Sequence, residues 1–118
     1  MIRKSGTYRT ELRENMRGGS GNVKIEHFWE PGSEMLAHNR MAARLTLPPG
    51  GSIGFHNHEN EDEIFIIVKG RAEADDNGTK VFLNAGDTIL TGNGAGHAIA
   101  NAGKEPLEIL AVITKYTL

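Results

Sequence analysis

From Asn22 to Trp29 the chain alternates, with Val23, Ile25, His27 and Trp29 on one face and Lys24, Glu26 and Phe28 on the other. That period of two predicts a strand with one buried face. Arg40 to Leu47 repeats the pattern: Met41, Ala43, Leu45 and Leu47 oppose Ala42, Arg44 and Thr46, and the sequence PPGG ends the strand. Ile53 to His58 predicts a short strand. Glu63 to Val68 is apolar on both faces, as a strand covered on both sides would be. Arg71 to Asp75 and Lys80 to Leu83 flank DDNGT, an Asn-Gly hairpin signal. Thr88 to Leu90, His97 to Asn101 and Leu107 to Tyr116 complete the set. About nine short strands joined by Gly-rich turns predict an all-β barrel or sandwich. The one helical signal is a single turn over Thr10 to Met16, stopped by RGGSG.

Composition narrows the picture. At 118 residues the chain has room for one domain and a core that needs no staples. Residues 1–21 are expected to form an N-terminal arm packed on the barrel or on a partner subunit, and residues 22–118 a single barrel. Cysteine is absent, which fits a reducing compartment. The basic start precedes no apolar signal-peptide core, and the apolar run Ile64 to Val68 is far short of a membrane span. A soluble, cytoplasmic protein without a membrane partner is expected. The net charge of −2 argues against nucleic acid as a partner, and the early cluster Arg3, Lys4, Arg9, Arg13 and Arg17 reads as a solvated surface.

The titratable chemistry concentrates in GFHNHENEDEIFIIVKG, from Gly54 to Gly70. On a strand His56 and His58 share a face, and two imidazoles on one face can share a metal. Glu63 on the face of Phe65 and Ile67 would be a lone buried charge, costly without a cation. His97 opens another strand after the glycine-rich TGNGAG, which reads as a mobile loop able to gate access. Three imidazoles and a carboxylate suit one divalent transition metal (Mn, Fe, Ni, Co or Zn) better than Ca or Mg. Glu59, Glu61 and Asp62 read as a solvated turn.

The order of these residues resembles the cupins. Their first motif, a glycine, five residues, His-x-His, three or four residues, Glu, six residues and Gly, is matched by Gly50, His56, His58, Glu63 and Gly70. Their second is matched by Gly86, Gly94, His97 and Asn101, with Gly92 where the family usually has proline. The resemblance implies a double-stranded β-helix, or jelly-roll barrel, with His56, His58, Glu63 and His97 as ligands of one metal. It also implies a homodimer, for which Ile64, Ile66, Val68, the strand Val23 to Trp29 and the arm are candidate interface.

Phe65, Ile67, Ile99 and Asn101 are expected beside the metal, in a small and largely apolar pocket. His27 reads as a core or interface histidine rather than a catalytic one. His38 reads as a surface residue, or as an acid or base if it stands at the barrel mouth. Arg44 reads as an outer-face residue, or as an anion clamp for a substrate carboxylate. The expected function is that of a metal-dependent enzyme of dioxygenase, isomerase or lyase type on a small, apolar or enolisable molecule. The alternative is a non-catalytic module binding a small molecule or metal.

Overall fold

A computed structural model describes residues 1–117. Ten strands are present among these residues: β1 (Arg9–Glu14), β2 (Asn22–His27), β3 (Asn39–Leu47), β4 (Ser52–Asn57), β5 (Glu61–Lys69), β6 (Arg71–Asp76), β7 (Thr79–Asn84), β8 (Thr88–Gly92), β9 (Gly96–Asn101) and β10 (Leu107–Lys115). They form a six-stranded sheet in the order β1-β2-β3-β10-β5-β8 and a four-stranded sheet in the order β4-β9-β6-β7. Every strand pairing is antiparallel. Two such sheets face to face make the double-stranded β-helix. The alternating positions turn inward as expected, and Val23, Ile25, Leu45, Leu47, Ile53, Phe65, Ile67, Ile99, Leu107 and Ile109 are buried between the sheets. The outer face of β5 is not covered within the chain: Ile64, Ile66 and Val68 are all exposed.

The helical turn expected over Thr10 to Met16 is absent. Arg9–Glu14 is instead a strand paired along its length with β2, and only Met16–Gly18 coils into a short 3-10 turn. Helix propensity over so few residues is worth tenths of a kcal/mol each, and pairing with a sheet edge outweighs it. Beyond β1, Arg3 ties the N-terminal segment down. Its guanidinium donates to the Phe28 carbonyl and to Glu34, and lies 4.6 Å from the Trp29 ring centre.

The 3-10 turn crosses the mouth of the barrel and lies against β4. A Cβ on Gly54 would collide with the Arg17 carbonyl, and one on Gly19 with the Ser52 carbonyl. Two glycines therefore let backbone approach backbone. Asn15 and Arg17 both hold left-handed conformations, with φ of 52° and 54°.

One irregularity in β4 places the site. Ile53 opposes Ile99 and His56 opposes His97, so three steps on β4 match two on β9. This β-bulge at Gly54 and Phe55 breaks the alternation. Ile53 stays in the core, the Phe55 ring turns out, and His56 turns in. Strict alternation from Ile53 would have put His56 outside.

Candidate metal centre

His56, His58, Glu63 and His97 come from β4, the turn after it, β5 and β9, and each offers one donor atom within 4.8 Å of the others. Around the centre, His58 Nε2 lies 2.9 Å from Glu63 Oε1 and 3.1 Å from His97 Nε2. His97 Nε2 is also 3.1 Å from Glu63 Oε1 and from His56 Nε2. Donors at right angles around an ion with bonds of about 2.1 Å stand about 3.0 Å apart, so these spacings fit one small ion. The mix of neutral imidazoles and one carboxylate fits a divalent transition metal. The cluster can chelate one such ion per chain.

The outer side of each ring differs. His56 donates its Nδ1–H to the Gly54 carbonyl at 2.7 Å. His58 donates its own to Glu61 Oε2 at 2.6 Å. Buried His97 Nδ1 has no partner, and its ring stacks on Phe65 with centres 4.6 Å apart. In the metal-free state the hydrogen bond that His58 donates to Glu63 holds His58 above the usual histidine range, against the pull of burial, with Glu61 adding to the effect. Burial pushes Glu63 up, but the hydrogen bonds from His58 and His97 outweigh it and hold its carboxyl below the usual range. Burial lowers His56. A protonated His58 against an ionised Glu63 is the arrangement a cation would replace.

Beside the donors lies a cavity of about 60 Å³. Its wall joins Met16, Met41, Leu45, Ile53, Phe65 and Ile113 to three arginines, Arg13, Arg17 and Arg40. The pocket thus has arginines in its wall rather than being largely apolar, and Arg13 and Arg17, exposed as a solvated surface requires, also line the cavity. Nothing in the local pattern marks them. Their placement needs β1 to pair with β2 and the turn to cross the barrel mouth. Glu61 is likewise no solvated loop residue. It accepts from Arg40 Nε at 2.8 Å and Arg40 Nη2 at 2.9 Å, and its side chain is only 12% exposed. Its place three residues after His58 was the available signal.

The other candidates lie elsewhere. Phe65 lines the cavity, whereas Ile67 and Ile99 are buried in the core and are not part of its wall. Asn101 donates to the Leu47 and Glu105 carbonyls and accepts from Gly103, stitching a turn. Arg44 faces outward between Glu26 and Glu108. His38 is exposed, and its carbonyl accepts from Lys115. His27 is buried and meets Glu11 at 3.2 Å. The loop before His97 is pinned rather than free: Gly94 donates to the His58 carbonyl, His58 to Ala95, Asn57 to Gly94, and Asn93 to the Tyr116 hydroxyl. A side chain at Gly92 would strike Asp62 and Tyr116, which accounts for glycine there.

Comparison with known proteins agrees with this geometry. The chain is 44% identical over 115 residues to an oxalate-binding protein of Thermotoga maritima, covering 96% of this chain and 93% of that one. It superposes with a TM-score of 0.92 on a crystal structure from Thermotoga maritima described as a predicted oxalate decarboxylase, at 42% identity, covering 98% of this chain and 99% of that one. A cupin 2 conserved barrel domain protein from Salinispora arenicola matches with a TM-score of 0.75 at 25% identity, covering 98% and 88%. The cupin domain pattern itself matches residues 43–113, and the chain belongs to the cupin family.

Proposed function

We propose that this protein is a metal-dependent cupin enzyme whose substrate is a small dicarboxylate of the oxalate class. The observation that carries the reading is the meeting of Arg13, Arg17 and Arg40 with His56, His58 and Glu63 around one small cavity. A divalent ion supplies positive charge at the base, binding and polarising carboxylate oxygens. Arg17 supplies a planar, permanently charged donor group at the mouth, beside Arg13, which also pairs with Glu11, and Arg40, whose Nε and Nη2 hold Glu61. Met16, Met41, Leu45 and Ile113 supply the apolar wall between them. A ligand with a carboxylate at each end and little between satisfies both. The similarity to an oxalate-binding protein supports the same class.

The simplest turnover is decarboxylation of the hydrogen-oxalate anion to formate and carbon dioxide, which is redox-neutral and needs a proton moved to carbon. A second reading, binding without turnover, is favoured by one observation. Among the described residues, the cavity wall holds no titratable side chain other than the candidate ligands and arginines. The test is incubation of Mn-, Fe-, Co- and Zn-loaded protein with oxalate, following formate by NMR. Formate that requires metal and is lost in His97→Ala supports the enzyme. Tight binding without formate supports the second reading, and neither binding nor formate defeats both.

A second copy of the chain is the proposed macromolecular partner. The register sets Ile64 beside Val112 and Leu90, and Ile66 beside Leu110, so the exposed face of β5 continues into β8 and β10 as one apolar strip. Such strips mark interfaces. Nucleic acid is no part of the proposal, since the net charge is −2 and Arg3, Arg9 and Arg44 are each spent on a carboxylate.

A further inference from the structure

We infer that Glu61 is a positioning residue for the metal, acting through His58, and that Arg40 holds Glu61 in place. The inference rests on the reading that His56, His58, Glu63 and His97 hold the ion. Glu61 begins β5, opposite Lys115, at the end of a strand where a solvated carboxylate could turn to water. It turns inward instead. Its Oε2 accepts from His58 Nδ1 at 2.6 Å and from Arg40 Nη2 at 2.9 Å, while Oε1 accepts from Arg40 Nε at 2.8 Å.

The three imidazoles thus form a graded series. His58 is backed by an anion, His56 by a neutral carbonyl, and His97 by no hydrogen bond at all. A hydrogen bond from Nδ1–H sets the tautomer of the neutral ring, fixes the ring plane, and raises the basicity of the nitrogen that faces the ion. A charged acceptor does so more strongly than a neutral one. His58 is accordingly the strongest donor of the set, and Glu61 makes it so. Arg40 serves twice, with its fork on Glu61 and its side chain also in the cavity wall.

The test uses the full chain with Zn²⁺ as the probe. Affinity is read by competition with a chromophoric chelator, and the His58 Nδ1–H proton is read by NMR in the Zn-loaded protein. Wild type is expected to bind Zn²⁺ and to show a low-field, exchange-protected Nδ1–H resonance from His58. Glu61→Leu is expected to lose that resonance and about 10- to 100-fold in affinity. Glu61→Gln keeps an acceptor without the charge, and its resonance moves upfield with a smaller loss of affinity. An unchanged resonance, or affinity within about twofold of wild type in Glu61→Leu, overturns the inference. Should Glu61→Leu not fold, Glu61→Gln decides alone, and no change in either readout overturns it. Wild-type protein that binds no Zn²⁺ would instead defeat the reading beneath.

Discussion

At the scale of single residues, the site is a contest between protons and a cation. His58 is held above its usual range and Glu63 below it, so each group favours the charged form of the other in the metal-free centre. For the metal-free fold, the His58 contribution is complete below the unfolded histidine pKa and is lost as pH rises through its folded value. The Glu63 contribution is present above the unfolded carboxyl pKa and is lost as pH falls through its folded value. Metal binding must displace the proton on His58, so affinity rises as pH climbs through the folded value. Melting curves with and without Zn²⁺ check this. Metal at about a hundred times its Kd adds about 2.7 kcal/mol near neutral pH, and the gain shrinks on acidification. A gain that does not change with pH would mean that His58 is not a ligand. Arg17 belongs to the other half of the site. Arg17→Met should weaken oxalate binding by about 10- to 100-fold, the worth of one charged hydrogen bond of about 1.5–3 kcal/mol. Zn²⁺ affinity should stay within about twofold. Equal losses in both would place Arg17 in the scaffold rather than on the ligand.

At the scale of elements, two local departures from regularity build the mouth of the barrel. The bulge in β4 turns His56 inward, and the left-handed crossing at Asn15 and Arg17 lays the 3-10 turn over β4. Gly54 serves both, being part of the bulge and the point where the Arg17 carbonyl comes closest. Gly54→Ala should therefore cost about 1–3 kcal/mol, as overpacking does, and displace the crossing. The stability loss should appear in chemical denaturation, and oxalate affinity should fall more than Zn²⁺ affinity. Unchanged denaturation would show that the crossing is not seated there. These elements also mark the limit of what the chain's pattern discloses. Alternation in β2, β3 and β10, the DDNGT hairpin and the spacing of His56, His58, Glu63 and His97 all report local geometry. They suffice for the barrel and the candidate ligand set. Arg13, Arg17 and Arg40 are brought to the site by pairings between distant segments, which no local period encodes, and Glu61, only three residues after His58, is held inward by Arg40 from another strand. The strand at Arg9–Glu14 reads as a helical turn for the same reason, since its conformation is decided by β2.

At the scale of the whole molecule, the chain has two different faces to satisfy. The interior of the barrel closes over the site, and the outer face of β5 leaves Ile64, Ile66 and Val68 38%, 37% and 45% exposed. If a second copy covers them, light scattering should give twice the chain mass, and Ile66→Glu should reduce it to the monomer. A monomer in wild type would contradict the proposed dimer and leave the interior account untouched. That account makes a single claim: one ion and the arginine-lined mouth, Arg17 foremost, together receive one small dicarboxylate. Titration calorimetry of oxalate into Mn-loaded and metal-stripped protein tests it most directly. The account predicts one oxalate per chain in the loaded protein and no measurable heat in the stripped protein. Equal affinity with and without metal, or no binding in either, would contradict it.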